Sequence, residues 1–310
     1  MTVLKEVAVH LPSQRVAVRS LQEELHLTDV QLKVYERFYG LSHILREPEG
    51  TVYDLLMAAA GELGTLHGLE RRIRYVIQAR TLPVATPYPT SAVQEVTRSL
   101  GLHRAQAFVV FHHACASGLL AVDIAGRLLE RDGDPDALAL VLTGEKTFTI
   151  AAKMVPDVAV NGEGAAAILV APAGGRDQVL SYATRTHGRF SEGLTLSGEK
   201  LAEFGEMYPK ALAEVMGEAA DRAGLALTDI DLILPHNVNR VSWVRLCKLI
   251  GFPLDRVFLD NIPVTGHCFC ADPFLNLRSA CSRGRLKPGD TYLMAAVGLG
   301  ATFSAMILKH

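Results

Sequence analysis

A weak internal duplication runs through this 310-residue chain. In its first half the strand-like run Ala107-Phe108-Val109-Val110-Phe111 meets His112-His113-Ala114-Cys115-Ala116-Ser117-Gly118, and a helical run from Leu119 to Leu129 follows. The charged turn Asp132-Gly133-Asp134-Pro135 then returns the chain to the apolar run Leu138 to Thr143. In the second half Val257-Phe258-Leu259 leads to Gly266-His267-Cys268, a helical run spans Phe274 to Cys281, and Tyr292 to Val297 is the last long apolar run. Cys115 lies 23 positions before Leu138, and Cys268 lies 24 before Tyr292. Two such units predict an α/β fold of two pseudo-symmetric halves, with mixed sheets sandwiched between helices. The turn Ala173-Gly174-Gly175-Arg176-Asp177 divides them, giving halves at 1–174 and 175–310. Pseudo-symmetry would set the two His/Cys clusters face to face.

The rest of the chain fits this frame. Glu6 to Pro12 and Ile73 to Ile77 read as strands, and Val52 to Leu66 and Ser91 to Leu100 as helices. Ser20 to Leu27 and Val30 to Phe38 read as helical pieces of a polar cap, and Glu199 to Ala223 as a helix that Pro209 kinks or restarts. Hydrophobic residues make up 49% of the chain, enough for a large core. The apolar runs fall far short of the roughly 18 residues of a membrane span. A net charge of -2 gives no basic footprint for nucleic acid. Five cysteines, an odd number, suit a reducing cytoplasm better than a disulfide framework. Cys268 and Cys270 with His267 could begin a metal site, but no second cluster completes a tetrahedral ligand set, so no metal is expected.

Cys115 stands where a strand hands over to a helix. Unpaired backbone N–H groups and the positive helix end favour a thiolate there, which makes Cys115 the candidate covalent nucleophile. On local sequence alone, a buried inert cysteine fits the position equally well. His236 follows the apolar run Leu232-Ile233-Leu234 directly, as a residue at the lip of a cleft would, although a satisfied core histidine has the same signature. His267 sits in a Gly-led turn before a helix, where a capping histidine also fits. Gly298-Leu299-Gly300 can aim backbone N–H groups into a cleft, which suits an oxyanion hole formed with the Cys115 amide.

In order along nearly the whole chain, several pieces resemble the signatures of one family. They are Val9-His10-Leu11-Pro12, Tyr88-Pro89-Thr90-Ser91-Ala92, Ala114-Cys115-Ala116-Ser117-Gly118, Gly162-Glu163-Gly164-Ala165, Ala223-Gly224-Leu225 with Asp229-Ile230-Asp231, Pro235-His236-Asn237-Val238-Asn239 and Gly298-Leu299-Gly300-Ala301-Thr302. The chain resembles the thiolase-fold condensing enzymes of the β-ketoacyl-acyl carrier protein synthase III type. The resemblance implies a layered α-β-α-β-α arrangement, a cleft between the halves, a homodimer, and no cofactor beyond an acyl-CoA or acyl carrier protein substrate. It also implies ping-pong chemistry, in which Cys115 takes an acyl group and passes it on. His236 would hold the thioester carbonyl or enolate, and Tyr88 would line the acyl pocket of the neighbouring subunit.

Two departures qualify what the resemblance implies. Where the family carries a catalytic asparagine, this chain reads Gly266-His267-Cys268-Phe269-Cys270-Ala271-Asp272-Pro273, so the catalytic set becomes Cys115, His236 and His267. The family's adenine-stacking tryptophan is missing from the cap, and the only tryptophan is Trp243. A carrier protein meeting Arg37, Arg46, Arg240 or Arg245 is then the favoured donor over free CoA. The first expectation is decarboxylating condensation with a malonyl-type extender, in a fatty-acid or polyketide-like pathway. The second is transfer to an oxygen or nitrogen nucleophile, and a third, of another class, is a non-catalytic partner subunit. A hydroxymethylglutaryl-CoA synthase-like reading is disfavoured, because Leu82 to Ala92 offers no glutamate. Cys268 and Cys270 read as packing residues.

Overall fold

Among the residues described by the computed structural model, 2–87 and 89–310, nine strands form one continuous sheet. They are β1 (Thr2–His10), β2 (Ile73–Ala79), β3 (Gln106–Val110), β4 (Leu138–Gly144), β5 (Ala165–Ala171), β6 (Asp177–Thr186), β7 (Leu232–Pro235), β8 (Thr291–Gly298) and β9 (Thr302–Lys309). Six helices pack on them: α1 (Val52–Gly61), α2 (Ala92–Ser99), α3 (Ser117–Asp132), α4 (Gly198–Ala223), α5 (Arg240–Ile250) and α6 (Asp272–Ser282). The strand order is β7-β8-β9-β6-β1-β5-β4-β2-β3. Outward from the centre, β1, β5 and β4 are antiparallel neighbours, and β2 and β3 continue parallel. The other side repeats this, with β6, β9 and β8 antiparallel and β7 parallel to β8. A lone parallel bridge between Ile233 and Val257 stands where a fifth strand would. β1 and β6 join the two series through Thr2–Val179, Val3–Gln178 and Leu4–Asp177.

Every residue of β4, β5 and β8 is buried, as expected of strands covered on both faces. The two-residue period of a strand then divides their side chains between layers. Leu138, Leu140 and Leu142 of β4 pack with α1 and α2, while Ala139 and Val141 face the opposite side. On that side Leu119, Val122 and Leu129 of α3 and Phe274 and Leu277 of α6 share one core with Leu234, Tyr292 and Met294. Leu212 and Val215 of α4 and Trp243 and Leu246 of α5 cover Ile233, Leu293 and Phe303 on the far face. The result is the layered thiolase-like arrangement, helix, sheet, helix, sheet, helix. Full burial of each leucine in these layers contributes about 1.5–3 kcal/mol.

Local chemistry sets the helix ends. Thr51 and Asp54 form a reciprocal capping box at the start of α1, and Asn239 caps α5 by accepting the Ser242 N–H at 2.8 Å. Left-handed Gly133, Gly224 and Gly251 close α3, α4 and α5. α4 runs unbroken through Pro209 rather than restarting there. The cap also differs from its expected form. Ser20 to Leu27 is a short 3-10 turn (Val18–Leu21) and loop, and the following helix, Asp29–Val34, continues into a π turn at Tyr35–Tyr39. Tyr292 to Val297 is not the last strand, since β9 follows it. Thr302–Lys309 mixes small and polar residues into a buried strand, which weakens its apolar signature.

The duplication is real in backbone terms, but its register differs by two residues. Ala114 (φ 45°) opens the 3-10 turn Ala114–Ala116 before α3, and Phe269 (φ 54°) opens the 3-10 turn Phe269–Ala271 before α6. The counterpart of Cys115 is therefore Cys270, not Cys268. Among the described residues, no helix is long and apolar enough to cross a membrane. Tyr88 lies outside the described residues.

Candidate active site

Cys115 is the middle residue of its 3-10 turn, buried where β3 feeds α3. Two glycines let neighbouring backbone close on that turn. A Cβ on Gly298, at the end of β8, would stand 1.9 Å from the His113 carbonyl oxygen, and one on Gly118 would stand 2.8 Å from the carbonyl oxygen of Cys270. Neither site admits a side chain, so the end of β8 meets the cysteine turn, and the 3-10 turn at Phe269–Ala271 meets the start of α3, at backbone contact.

From the α6 side comes an imidazole held by a carboxylate. His267 Nε2 lies 3.3 Å from Cys115 Sγ, and its Nδ1 lies 2.5 Å from Asp272 Oδ2. Asp272, the first residue of α6, also accepts the backbone N–H of Cys268 at 2.8 Å and that of Asn237 at 2.5 Å. Asn237 bonds in turn to Asn276, and Asn276 to Asn261 and to the Pro235 carbonyl, so the carboxylate is anchored in a fully buried polar network. Burial works against a charged His267 ring. The Asp272 carboxylate and the Cys115 sulfur outweigh it and hold the His267 pKa up at about 10. With both nitrogens protonated, Nδ1–H donates to Asp272 and Nε2–H to the sulfur.

His236 approaches from the opposite wall, its ring 6.3 Å from that of His267 between centroids. It sits just beyond β7, and the Trp243 indole packs edge-on against it at 5.4 Å while donating to its carbonyl at 3.1 Å. Trp243 thus serves His236 and is itself buried. Burial first, then the neighbouring His267 charge, lowers the His236 pKa to about 3, so this ring is neutral beside a charged one. Its Nε2 lies 2.8 Å from the hydroxyl of Tyr208.

A third wall comes from the loop after β2. The Glu145 carboxylate accepts the backbone N–H groups of Thr81 and Leu82, which puts the Thr81 hydroxyl 3.4 Å from Cys115 Sγ. Burial pushes the Glu145 pKa up to about 7, and those donors pull against it. The other two thiols nearby bond to backbone carbonyls, and Cys270 Sγ also lies 3.5 Å from the Thr81 hydroxyl. Cys270 donates to the Ala114 carbonyl at 3.2 Å and Cys268 to the Thr265 carbonyl at 3.7 Å, and burial pushes both thiol pKa values well up.

Cys115, His267 and His236 therefore form one buried cluster, with Gly298 against the cysteine turn. Arg37, Arg240 and Arg245 are exposed, whereas Arg46 is engaged by Glu24 through two hydrogen bonds of 3.0 and 3.1 Å. Sequence reasoning missed Asp272, Tyr208 and Thr81. Asp272 left a usable signal, an Asp-Pro pair opening a helix five residues after His267. Tyr208 lies mid-helix with none.

Known proteins resemble this chain along its length. Residues 220–310 match the family described as 3-oxoacyl-[acyl-carrier-protein (ACP)] synthase III C terminal. A β-ketoacyl-[acyl-carrier-protein] synthase III of Sphingopyxis alaskensis is 29% identical, with 99% of this chain and 98% of the relative covered. One of Rhizorhabdus wittichii is 30% identical over 74% of this chain and 76% of the relative. The crystal structure of 3-oxoacyl-[acyl-carrier-protein] synthase III from Aquifex aeolicus covers 100% of both chains at a TM-score of 0.84 and 21% identity, a likeness of fold. With sequence likeness and fold in agreement, this chain belongs to the β-ketoacyl-[acyl-carrier-protein] synthase III family of acyl-transferring enzymes.

Proposed function

We propose that this enzyme carries an acyl group as a thioester on Cys115 and that His267, held by Asp272, manages the protons of both half-reactions. The supporting observation is the continuous chain from Cys115 Sγ through His267 to Asp272. In the first half-reaction the Cys115 sulfur attacks the acyl carbonyl carbon. The C–S bond to the donor breaks, and the His267 proton passes to the departing thiolate. His267 is then a neutral base. In the second it takes the proton of an incoming nucleophile as that nucleophile attacks the thioester, and the Cys115 thiolate leaves paired again with a charged His267. Backbone N–H groups of Cys115, Gly298 and Leu299 are the proposed oxyanion donors, supported by the closeness of Gly298 to the cysteine turn.

A carboxylate-backed imidazole favours an acceptor that must lose a proton, a hydroxyl or an amine. Decarboxylating condensation with a malonyl-type extender is the second reading. It is supported by the two imidazoles facing one another and by the names of the relatives, which are synthases. The donor in either case is an acyl carrier protein or acyl-CoA in a fatty-acid or polyketide-like pathway. The same reading takes 1–174 and 175–310 as the two halves and puts the enzyme in the cytoplasm as a homodimer. Acylated enzyme mixed separately with malonyl carrier protein and with a panel of alcohols and amines tests the order. Discharge by an alcohol or amine without carbon dioxide supports direct transfer. Discharge by malonyl carrier protein with carbon dioxide release replaces it with condensation.

A further inference from the structure

Tyr208 lies in a row of rings, Phe190 to Phe204 at 5.3 Å, Phe204 to Tyr208 at 5.8 Å and Tyr208 to Phe303 at 5.6 Å, that carries its hydroxyl from α4 to His236. Two observations about His236 bear on what that hydroxyl does. The Tyr208 oxygen is 2.8 Å from Nε2, and Nδ1 is buried with no hydrogen-bond partner. A neutral imidazole carries one N–H. Were it on Nδ1, a buried donor would be orphaned, and the phenol proton would be spent on Nε2. On Nε2, the N–H donates to the Tyr208 oxygen and the unpaired donor becomes the phenol O–H, on a half-buried side chain whose hydroxyl can turn toward a bound group, as the fixed Nδ1–H cannot. In that tautomer the phenol proton is left over, and the Cys115 sulfur lies near enough to add to the burial that pushes the Tyr208 pKa up.

We propose that Tyr208, rather than His236, presents the hydrogen-bond donor to an oxygen of the acyl or acceptor group held over Cys115. His236 is then a positioning residue, which holds the phenol oxygen and polarises its O–H. This inference rests on the Cys115 thioester reading, and it revises the role that the resemblance gives His236. No bond is made or broken by Tyr208. It supplies a directed O–H dipole in a buried site, where such a donor is worth about 10²- to 10³-fold in rate.

Two measurements test it. With histidine labelled in 15N, and His236 assigned by its loss in His236→Gln, the shifts of its two nitrogens report the tautomer without any acyl donor. A protonated Nε2 and an unprotonated Nδ1 are expected, and the reverse overturns the inference. The second is a double-mutant cycle with acetyl-CoA as the probe, following acetyl mass on the intact protein. Tyr208→Phe and His236→Gln should each slow loading or discharge by about 10²- to 10³-fold, and the double variant should lose no more than the worse single one. Multiplicative losses, or no loss in Tyr208→Phe, overturn it. If acetyl-CoA leaves Cys115 unlabelled, the thioester reading is in question for this donor, while the tautomer still decides the inference.

Discussion

At Ala114–Ala116 and again at Phe269–Ala271 the chain enters a long buried helix through a 3-10 turn opened by a left-handed residue and centred on a cysteine. The backbones correspond, but the thiols face different surroundings. Cys115 Sγ meets an imidazole at 3.3 Å, whereas Cys270 Sγ meets a backbone carbonyl at 3.2 Å. A helix start is common to both, so it cannot be what sets the proposed nucleophile apart from its counterpart. The second turn contributes its flanks instead, His267 three residues before Cys270 and Asp272 two after. In the proposed mechanism the duplicated unit divides its labour, with sulfur from one copy and base and carboxylate from the other.

The largest expected effect separates the two cysteines outright. Cys115→Ala should abolish acyl loading measured by intact mass, and Cys270→Ala should retain it. Next, Asp272→Asn removes the charge that holds His267 protonated. Transfer should fall by on the order of 10²- to 10⁴-fold in a single-turnover assay. Denaturant unfolding should show a loss of about 3 kcal/mol, because the carboxylate is fully buried. A pH series of the same unfolding experiment sharpens the contrast between the two imidazoles. His267 has its pKa raised from 6.5 to about 10, so its contribution is fully present below pH 6.5 and is lost as pH rises through about 10. His236, lowered from 6.5 to about 3, acts in the other direction. Its neutral form suits the fold above pH 6.5, and stability falls as pH drops from there toward 3. Asp272→Asn should flatten the alkaline limb and shrink the His236 contribution on the acid side to the part that burial supplies. The smallest effect belongs to the loop after β2, where Thr81→Val removes the weak contacts of its hydroxyl with the Cys115 and Cys270 sulfurs and should slow acylation about fivefold.

Much of this was legible in the sequence, because strand and helix periods survive in buried α/β layers. β4, with apolar residues on both faces, announced itself, and Cys115 and His236 stood in recognisable surroundings. β9 did not, since Ser304 and Ala305 interrupt the apolar run that would mark it. The turn register was read two residues off, because a cysteine was aligned with the nearer cysteine and the left-handed residue that sets the turn has no sequence mark of its own. Asp272 and Tyr208 were hidden for a different reason. Their roles depend on partners in other elements, Asn237 beyond β7 for one and His236 for the other, and no local period encodes such a meeting.

The most direct test of the central claim is peptide mapping of the acyl mass after a brief exposure of wild type and Asp272→Asn to an acyl donor, with all five cysteines resolved. The account predicts the label on the Cys115 peptide alone, and a much slower appearance of that label in the variant. Label on Cys270 or Cys268, or equal rates in the two proteins, would contradict it.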